Sequence, residues 1–587
     1  MKIKLTNTLT IIAILMIAQI SIAQKLVILH TNDMHSMLTG FGPELSYTPM
    51  SINDDKTIGG FARLATLLKE EKAKLPNSTL IVDAGDFLMG TIFHAGEQDN
   101  GFQIPLMKKM GYDVITLGNH EFDYGPEALA GIINSSIKTG KIPEIVSSNF
   151  IFSETSTDDD ELEKLFKKEV VKKYTIIEKN GLKIGIIGIM GEDADEVAPG
   201  AKPVTFDKQI KTVKRLTTKL KNEDKVDLVI CISHSGFYPD EKKGGYKGED
   251  IKLAEKVKNL DVIISGHTHV KTEKAIKINN TIIVQTGAYA KNLGRLELNV
   301  ENKKVESFIF SLIPVDDKVM GDADVDKLIN DYKEIVSNKF FSPLGLSFLK
   351  PIAETNFNVN RNSFITKKAG KVGQFVTDAM KFYIDKHSDD IDFAIEASGT
   401  IRESILKGEI TPADIFRVSP LGVGTDDVPG YALAKLYLTG KEIKGLMEVI
   451  VKTQGGVGTD SYLNYSGVKI DVDMDGGFLK KVQKVYLDGK EIDISKNNEK
   501  LYSLAASTYI LGFIGRIKKM TLGLIKVTPK DAKGNEITDM KKQIIDFDKS
   551  KEGIQEGKIW IALIEYLESF EDANGNGLPE MPEKYKQ

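Results

Sequence analysis

The chain has 587 residues, 41% of them apolar and 27% charged, an ordinary globular composition that excludes wholesale disorder and a fibrous repeat. That length exceeds what one hydrophobic core organises, so two large domains or three smaller ones are expected. A formal charge of −5 offers no basic field to hold a nucleic-acid polymer, and the single cysteine, Cys231, excludes an internal disulfide framework and a thiolate zinc site.

At the N-terminus, Lys2 and Lys4 precede an apolar run from Leu9 to Ile20, followed by Ser21-Ile22-Ala23. A basic start, a short apolar core and small residues before the cut describe a secretory signal peptide, residues 1–23, cleaved after Ala23. The product is then periplasmic or secreted. The run falls short of the ~20 residues that a spanning helix needs, and no other stretch is long and apolar enough to cross a membrane. An uncleaved N-terminal anchor is the alternative.

From residue 24 to about 310, β-branched apolar runs end abruptly in polar residues that can bind metal. They are Leu26–Thr31, Thr79–Val82, Val114–Leu117, Val226–Ser233 and Val262–Ser265. Such runs predict buried strands, and helical periods at Phe61–Lys74 and Phe206–Leu220 lie between them. The alternation implies an α/β layered structure. Active residues in such folds collect beyond the carboxyl ends of the strands, where the polar endings fall. The charged stretch 155–173 reads as a solvated insertion or surface helix.

Residues 311–350 read as an inter-domain connection. A second, α+β domain spans 351–548. Helices are expected at Gly373–Ile384 and from Thr439 to about Val451, with strands at Asp392–Ala397, Gly467–Asp473, Val482–Leu487 and Leu501–Ala505. The rest, 549–587, reads as a C-terminal tail.

Five segments carry the chemistry: Thr31-Asn32-Asp33-Met34-His35, Gly85-Asp86, Gly118-Asn119-His120-Glu121, His234, and Gly266-His267-Thr268-His269. Five of the eight histidines fall in them, and each segment follows an apolar strand. Singly they are weak signals; together they supply carboxylate, imidazole and amide oxygen without thiolate. That set suits Zn, Mn, Fe or Co better than Ca²⁺. It holds too many ligands for one tetrahedral ion, whereas two ions sharing one carboxylate use them all. Two ions ~3.5–4 Å apart clamp a phosphoryl group and acidify a water between them. Of the other histidines, His30 reads as a packed structural residue, His94 and His387 as surface or hydrogen-bonded. Cys231 reads as core.

In this order the motifs resemble the calcineurin-like metallophosphoesterases. His30-Thr31-Asn32-Asp33-Met34-His35, Gly59-Gly60-Phe61-Ala62-Arg63 and Gly118-Asn119-His120-Glu121-Phe122-Asp123 are similar, more narrowly, to the exported bacterial 5′-nucleotidase/UDP-sugar hydrolase branch. The resemblance implies a four-layer β-sandwich flanked by helices over 24–310. It assigns Asp33, His35, Asp86 and His269 to one divalent ion and Asp86, Asn119, His234 and His267 to the other. Many members of the branch carry Gln where this chain has His269. His120, oriented by Asp123, is implied as the catalytic group at the phosphoryl or leaving oxygen, with Asn119 also beside the substrate.

The second domain resembles the family's substrate domain more loosely, through Asp392-Phe393-Ala394-Ile395, Gly399-Thr400-Ile401-Arg402 and Leu438-Thr439-Gly440-Lys441-Glu442. Arg402 is implied as a phosphate contact; a guanidinium suits bidentate binding. Tyr431 and Phe513 are the candidate base clamp. An arginine expected shortly before Val372 is missing, with Lys367 and Lys368 the nearest cations, and Ala397-Ser398-Gly399 replaces the family's Asn-Gly-Gly. Near the end, Asp572, Asn574, Asn576 and Glu583 at the twelfth position fit a calcium-loop pattern.

The expected function is hydrolysis of nucleotide phosphoesters by attack of metal-activated hydroxide on phosphorus. Alternatives keep the chemistry and change the substrate, to a 2′,3′-cyclic nucleotide, a UDP-sugar or a thiosulfate ester. A non-catalytic secreted nucleotide-binding protein is the alternative of another class. No protein partner is implied.

Overall fold

The computed structural model describes residues 23–361, 370–453, 462–477, 479–511 and 526–587. Apart from Ala23, the expected signal segment lies outside them, as do Phe513, Lys367 and Lys368. Strands β1 (Gln24–Thr31), β2 (Thr79–Asp83), β3 (Val114–Ile115), β4 (Glu144–Val146), β5 (Val171–Lys172), β6 (Thr175–Lys179), β7 (Leu182–Met190), β8 (Leu228–His234), β9 (Val262–Ser265), β10 (Ile276–Ile278), β11 (Thr281–Val284), β12 (Asn292–Glu301) and β13 (Lys304–Pro314) form two sheets. One runs β13-β12-β1-β2-β3-β4-β5, the other β10-β11-β9-β8-β7-β6.

The sheets face each other across a core of alternate side chains, including Leu26, Ile28, Leu80 and Val82 from one and Ile184, Ile186, Ile230 and Ile264 from the other. The outer face of the first sheet carries Val27, Leu29, Ile81 and Ile115. They pack under α1 (Phe61–Lys74), α2 (Gln103–Met110) and α3 (Gly125–Thr139). Ile187, Val229, Cys231 and Ile263 cover the second sheet's outer face beneath α4 (Gln209–Asn222) and α5 (Glu249–Lys256). These are four layers, helix-sheet-sheet-helix, and they bury the strands on both faces, which is why the strands read as continuous apolar runs. β1, β2 and β3 are mutually parallel, as are β7, β8 and β9, so the two sets of carboxyl ends open at one edge of the sandwich.

After β13, helix α6 (Ala323–Val336) starts on an Asp322 side-chain cap and packs back on the first domain, where the Tyr332 hydroxyl donates to the Phe93 carbonyl at 3.0 Å. Residues 160–167 of the charged stretch form a surface helix whose Leu162 and Leu165 are buried. In the second domain, α7 (Val372–His387) and α8 (Gly440–Thr453) lie with a four-stranded sheet made of Phe393–Ala397, Leu433–Thr439, Leu463–Ser466 and Leu501–Ser507. The stretch read as a tail contains a further helix, α9 (Ile559–Glu568), packed on α7. Its Trp560 is fully buried and donates from the indole nitrogen to the Pro429 carbonyl at 2.8 Å. No helix among the described residues is long and apolar enough to cross a membrane.

Candidate metal centre

Asp33 and His35 leave the end of β1, Asp86 that of β2, and Asn119 and His120 follow β3; His234 closes β8, and His267 and His269 follow β9. Opposed strand ends therefore bring seven donor side chains from two sheets to one place. Asp33, His35, Asp86, Asn119 and His234 are at most 2% exposed. Two groups have ligand atoms within 4.8 Å of one another: Asp33, His35 and His269, and Asp86, His234 and His267. Asp86 spans them. Its Oδ2 is 3.0 Å from His234 Nε2 and 4.0 Å from His35 Nε2, and its Oδ1 accepts from the His120 backbone N–H at 2.9 Å. Asn119 Oδ1 lies 3.1 Å from His234 Nε2 and 3.0 Å from His267 Nδ1.

The backbone bends sharply to do this. Asp33 (φ 51°), His35 (51°), Asp86 (54°), His267 (72°) and His269 (54°) are all left-handed. Each such non-glycine residue costs of order 1 kcal/mol, and strain concentrated in this way marks a functional site. The approach of loops also limits side chains: a Cβ on Gly118 would meet the Asp86 backbone nitrogen at 2.7 Å.

The donor set fits metal ions. His35 and His234 donate their Nδ1–H groups to the carbonyls of Met89 (3.1 Å) and Ala84 (2.8 Å). Their Nε2 atoms then face the rest of the donor set: His269 Nε2 at 3.1 Å from His35, and Asp86 and Asn119 oxygens around His234. Nitrogens and oxygens this close need a proton or a metal cation between them, and metal binding replaces such protons. Ionisation agrees. Burial holds His35, His267 and His269 below the ordinary histidine range, leaving them neutral as ligands must be. Burial pushes Asp33 up to about 7, and although burial opposes a charge on His234, Asp86 lifts that ring to about 10, so the site calls for positive charge.

One buried carboxylate beside the donors, Glu121, escapes a reading by motif. Glu121 accepts from the backbone N–H groups of Asp86 (3.0 Å), Leu88 (3.0 Å) and Gly118 (2.5 Å), clasping two ligand loops together. Asp123 Oδ2 lies 2.7 Å from His120 Nδ1, as the spacing of the motif suggests.

From the second domain, Arg402 lies near enough for its charge to act on His35, His120 and His269. Arg361 joins it: it donates to the Arg402 carbonyl, and its charge also acts on His269. Arg361 thus brings a second guanidinium toward the centre from upstream of the position expected for an arginine. Tyr431 feels Asp123 and Arg402, which puts it at the same cleft, and it packs on Tyr509 with ring centres 5.4 Å apart.

Other expected positions behave differently. His30 is buried and stacked on Phe310, as expected of a structural residue. His94, expected at the surface or hydrogen-bonded, is 1% exposed with neither ring nitrogen bonded, and packs on Tyr124. His387 pairs with Glu565 at 2.7 Å. In the C-terminal loop, Asp572 accepts from the backbones of Gly575, Asn576 and Gly577, and the amides of Asn574 and Asn576 donate to Glu354. Glu583 is turned away to Lys586, at 3.1 Å.

Residues 26–271 match the model of the calcineurin-like phosphoesterases, and residues 351–520 match that of the 5′-nucleotidase C-terminal domain. The trifunctional nucleotide phosphoesterase protein YfkN of Bacillus subtilis is 25% identical over 83% of this chain, which spans only 32% of that longer protein. A 5′-nucleotidase of Vibrio vulnificus is 27% identical over 80% of this chain and 82% of its own length. The crystal structure of a 5′-nucleotidase precursor from Thermus thermophilus shares the fold, with a TM-score of 0.66 at 20% identity, covering 93% of this chain and 96% of that one. The two family patterns account for most of the sequence in one order, and the chain belongs to the calcineurin-like phosphoesterases that carry a 5′-nucleotidase C-terminal domain, which are metal-dependent hydrolases.

Proposed function

We propose that this protein is an exported 5′-nucleotidase-like enzyme that hydrolyses nucleotide phosphoesters at a pair of divalent transition-metal ions. The observation that carries the reading is the convergence of two buried donor groups, with Asp86 reaching both, near Arg402 and Arg361 of the second domain. Asp33, His35, Asp86 and His269 would hold one ion, and Asp86, Asn119, His234 and His267 would hold the other. Bound there, the ions supply Lewis-acid charge for the phosphoryl oxygens and a more acidic water.

The chain's own residues do the rest. Arg402 and Arg361 draw the substrate's phosphate in, Tyr431 offers a face to the base, and His120, steadied by Asp123, stands ready at the leaving oxygen. Export rests on Lys2, Lys4 and the apolar run before Ala23.

The test is metal analysis together with phosphate release from a panel of nucleoside monophosphates, 2′,3′-cyclic nucleotides, UDP-sugars and a thiosulfate ester. Metal-dependent release from nucleoside monophosphates is expected. Turnover of another member alone would keep the chemistry and move the substrate. No turnover by fully loaded protein would favour a nucleotide-binding protein.

Arg402→Ala is expected to raise KM for nucleotides by roughly ten- to a hundredfold at unchanged metal content, since a hydrogen bond to a charged group is worth about 1.5–3 kcal/mol. Parental kinetics on every nucleotide would place the phosphate elsewhere.

A further inference from the structure

We infer that Asp193 is a positioning residue of the metal centre, its carboxylate orienting His267 so that Nδ1, and not Nε2, faces the ion. The inference rests on the assignment of His267 as a ligand. His267 Nδ1 lies 3.0 Å from Asn119 Oδ1, on the side of the other donors, while Nε2, across the ring, is 3.5 Å from Asp193 Oδ2. His35 and His234 are tied the opposite way, through Nδ1 to main-chain carbonyls, and turn Nε2 inward. A neutral imidazole has one N–H and one lone pair, so the partner of one nitrogen decides the role of the other. An ionised carboxylate only accepts. Asp193 therefore keeps the proton on Nε2 and frees the Nδ1 lone pair for the ion.

Asp193 is held in place for this. It sits in the short helix Glu192–Glu196 just past β7, whose last residue, Met190, pairs in register with His234. Glu249 accepts from the backbone N–H groups of Glu192 (2.9 Å) and Asp193 (3.0 Å), and the Tyr238 hydroxyl donates to Asp193 Oδ2 at 2.9 Å. Gln209 links this network to the neighbouring ligand: its amide donates to Glu249 at 3.1 Å, and its oxygen accepts from Ser235, next to His234, at 3.0 Å. One string of side chains thus runs from Asp193 to the residue beside His234.

Removing a carboxylate behind a metal-bound histidine typically costs 10–100-fold in metal affinity. The Asp193 side chain is 46% exposed, which places the expectation at the lower end, about tenfold. The test is calorimetric titration of the metal-depleted full-length protein with Mn²⁺. The parent is expected to show two binding events, one of which His267→Ala abolishes. Asp193→Ala should weaken that same event about tenfold and leave the other untouched, while Asp193→Asn, which retains an oxygen acceptor, should restore most of the loss. Unchanged unfolding temperatures of the metal-free variants accompany this outcome. If His267→Ala loses one event and Asp193→Ala loses nothing, the inference fails while the ligand assignment stands. If His267→Ala keeps both events, the assignment fails and takes the inference with it. Equal weakening of both events, unrelieved by Asp193→Asn, would make Asp193 a general prop for its loop and overturn the inference as well.

Discussion

Asp86→Ala is expected to leave at most one ion per chain and to lower turnover by more than the roughly 10²–10⁴ that a single acid–base group is worth. The carboxylate lies between the groups, 3.0 Å from His234 Nε2 of one and 4.0 Å from His35 Nε2 of the other. Its loss removes a ligand from each ion and the negative charge that screens one dication from the other. Two dications about 4 Å apart repel strongly even at the moderate dielectric of a protein site. His267→Ala should differ in kind, weakening one ion only. Because alanine at a left-handed position is strained, Asp86→Asn serves as the companion variant: it keeps the shape and an amide oxygen but not the charge. Elemental analysis of folded protein, with unfolding temperatures as the control, decides the matter. Two ions per chain and parental turnover in Asp86→Ala would defeat the dinuclear assignment.

The strands that carry ligands are legible in the sequence because burial on both faces makes them continuous apolar runs with abrupt polar ends. β7 escapes that reading. Lys183, Gly185 and Gly188 interrupt its apolar residues, and with the strand unseen the acidic residues after it, Asp193 among them, look like surface charge. β12 and β13 escape for another reason: half their side chains face outward, so their apolar residues alternate instead of running on. Arg361 arrives beside Arg402 through a fold-level approach that sequence separation does not encode. Glu121 lies inside a motif that was read, yet its service to three backbone N–H groups depends on how two loops meet. His94 shows the converse limit, because an isolated histidine carries no periodicity to tell a surface ring from one packed against Tyr124.

His120→Asn is expected to retain both ions and most substrate affinity while kcat falls by about 10²–10⁴. His120 stands next to the proposed ligand Asn119 but contributes differently. Its backbone N–H, which asparagine keeps, donates to Asp86 Oδ1, whereas its side chain turns to Asp123 at 2.7 Å. With Nδ1 engaged, Nε2 is the nitrogen left to act on substrate. Burial opposes a charge on this ring, but Asp123 and then Asp86 outweigh it and hold its pKa above the ordinary histidine value. A group placed this way contributes mainly as charge develops on the leaving oxygen, and its loss therefore falls on kcat more than on binding. The leaving group provides the sharper measurement. If His120 is the acid, the deficit of His120→Asn should shrink on an activated aryl phosphate, whose departing oxygen needs little protonation. An equal deficit on both substrates would move its role to the phosphoryl oxygens. Loss of metal from the variant, or turnover at the parental rate, would end the division of labour between Asn119 and His120.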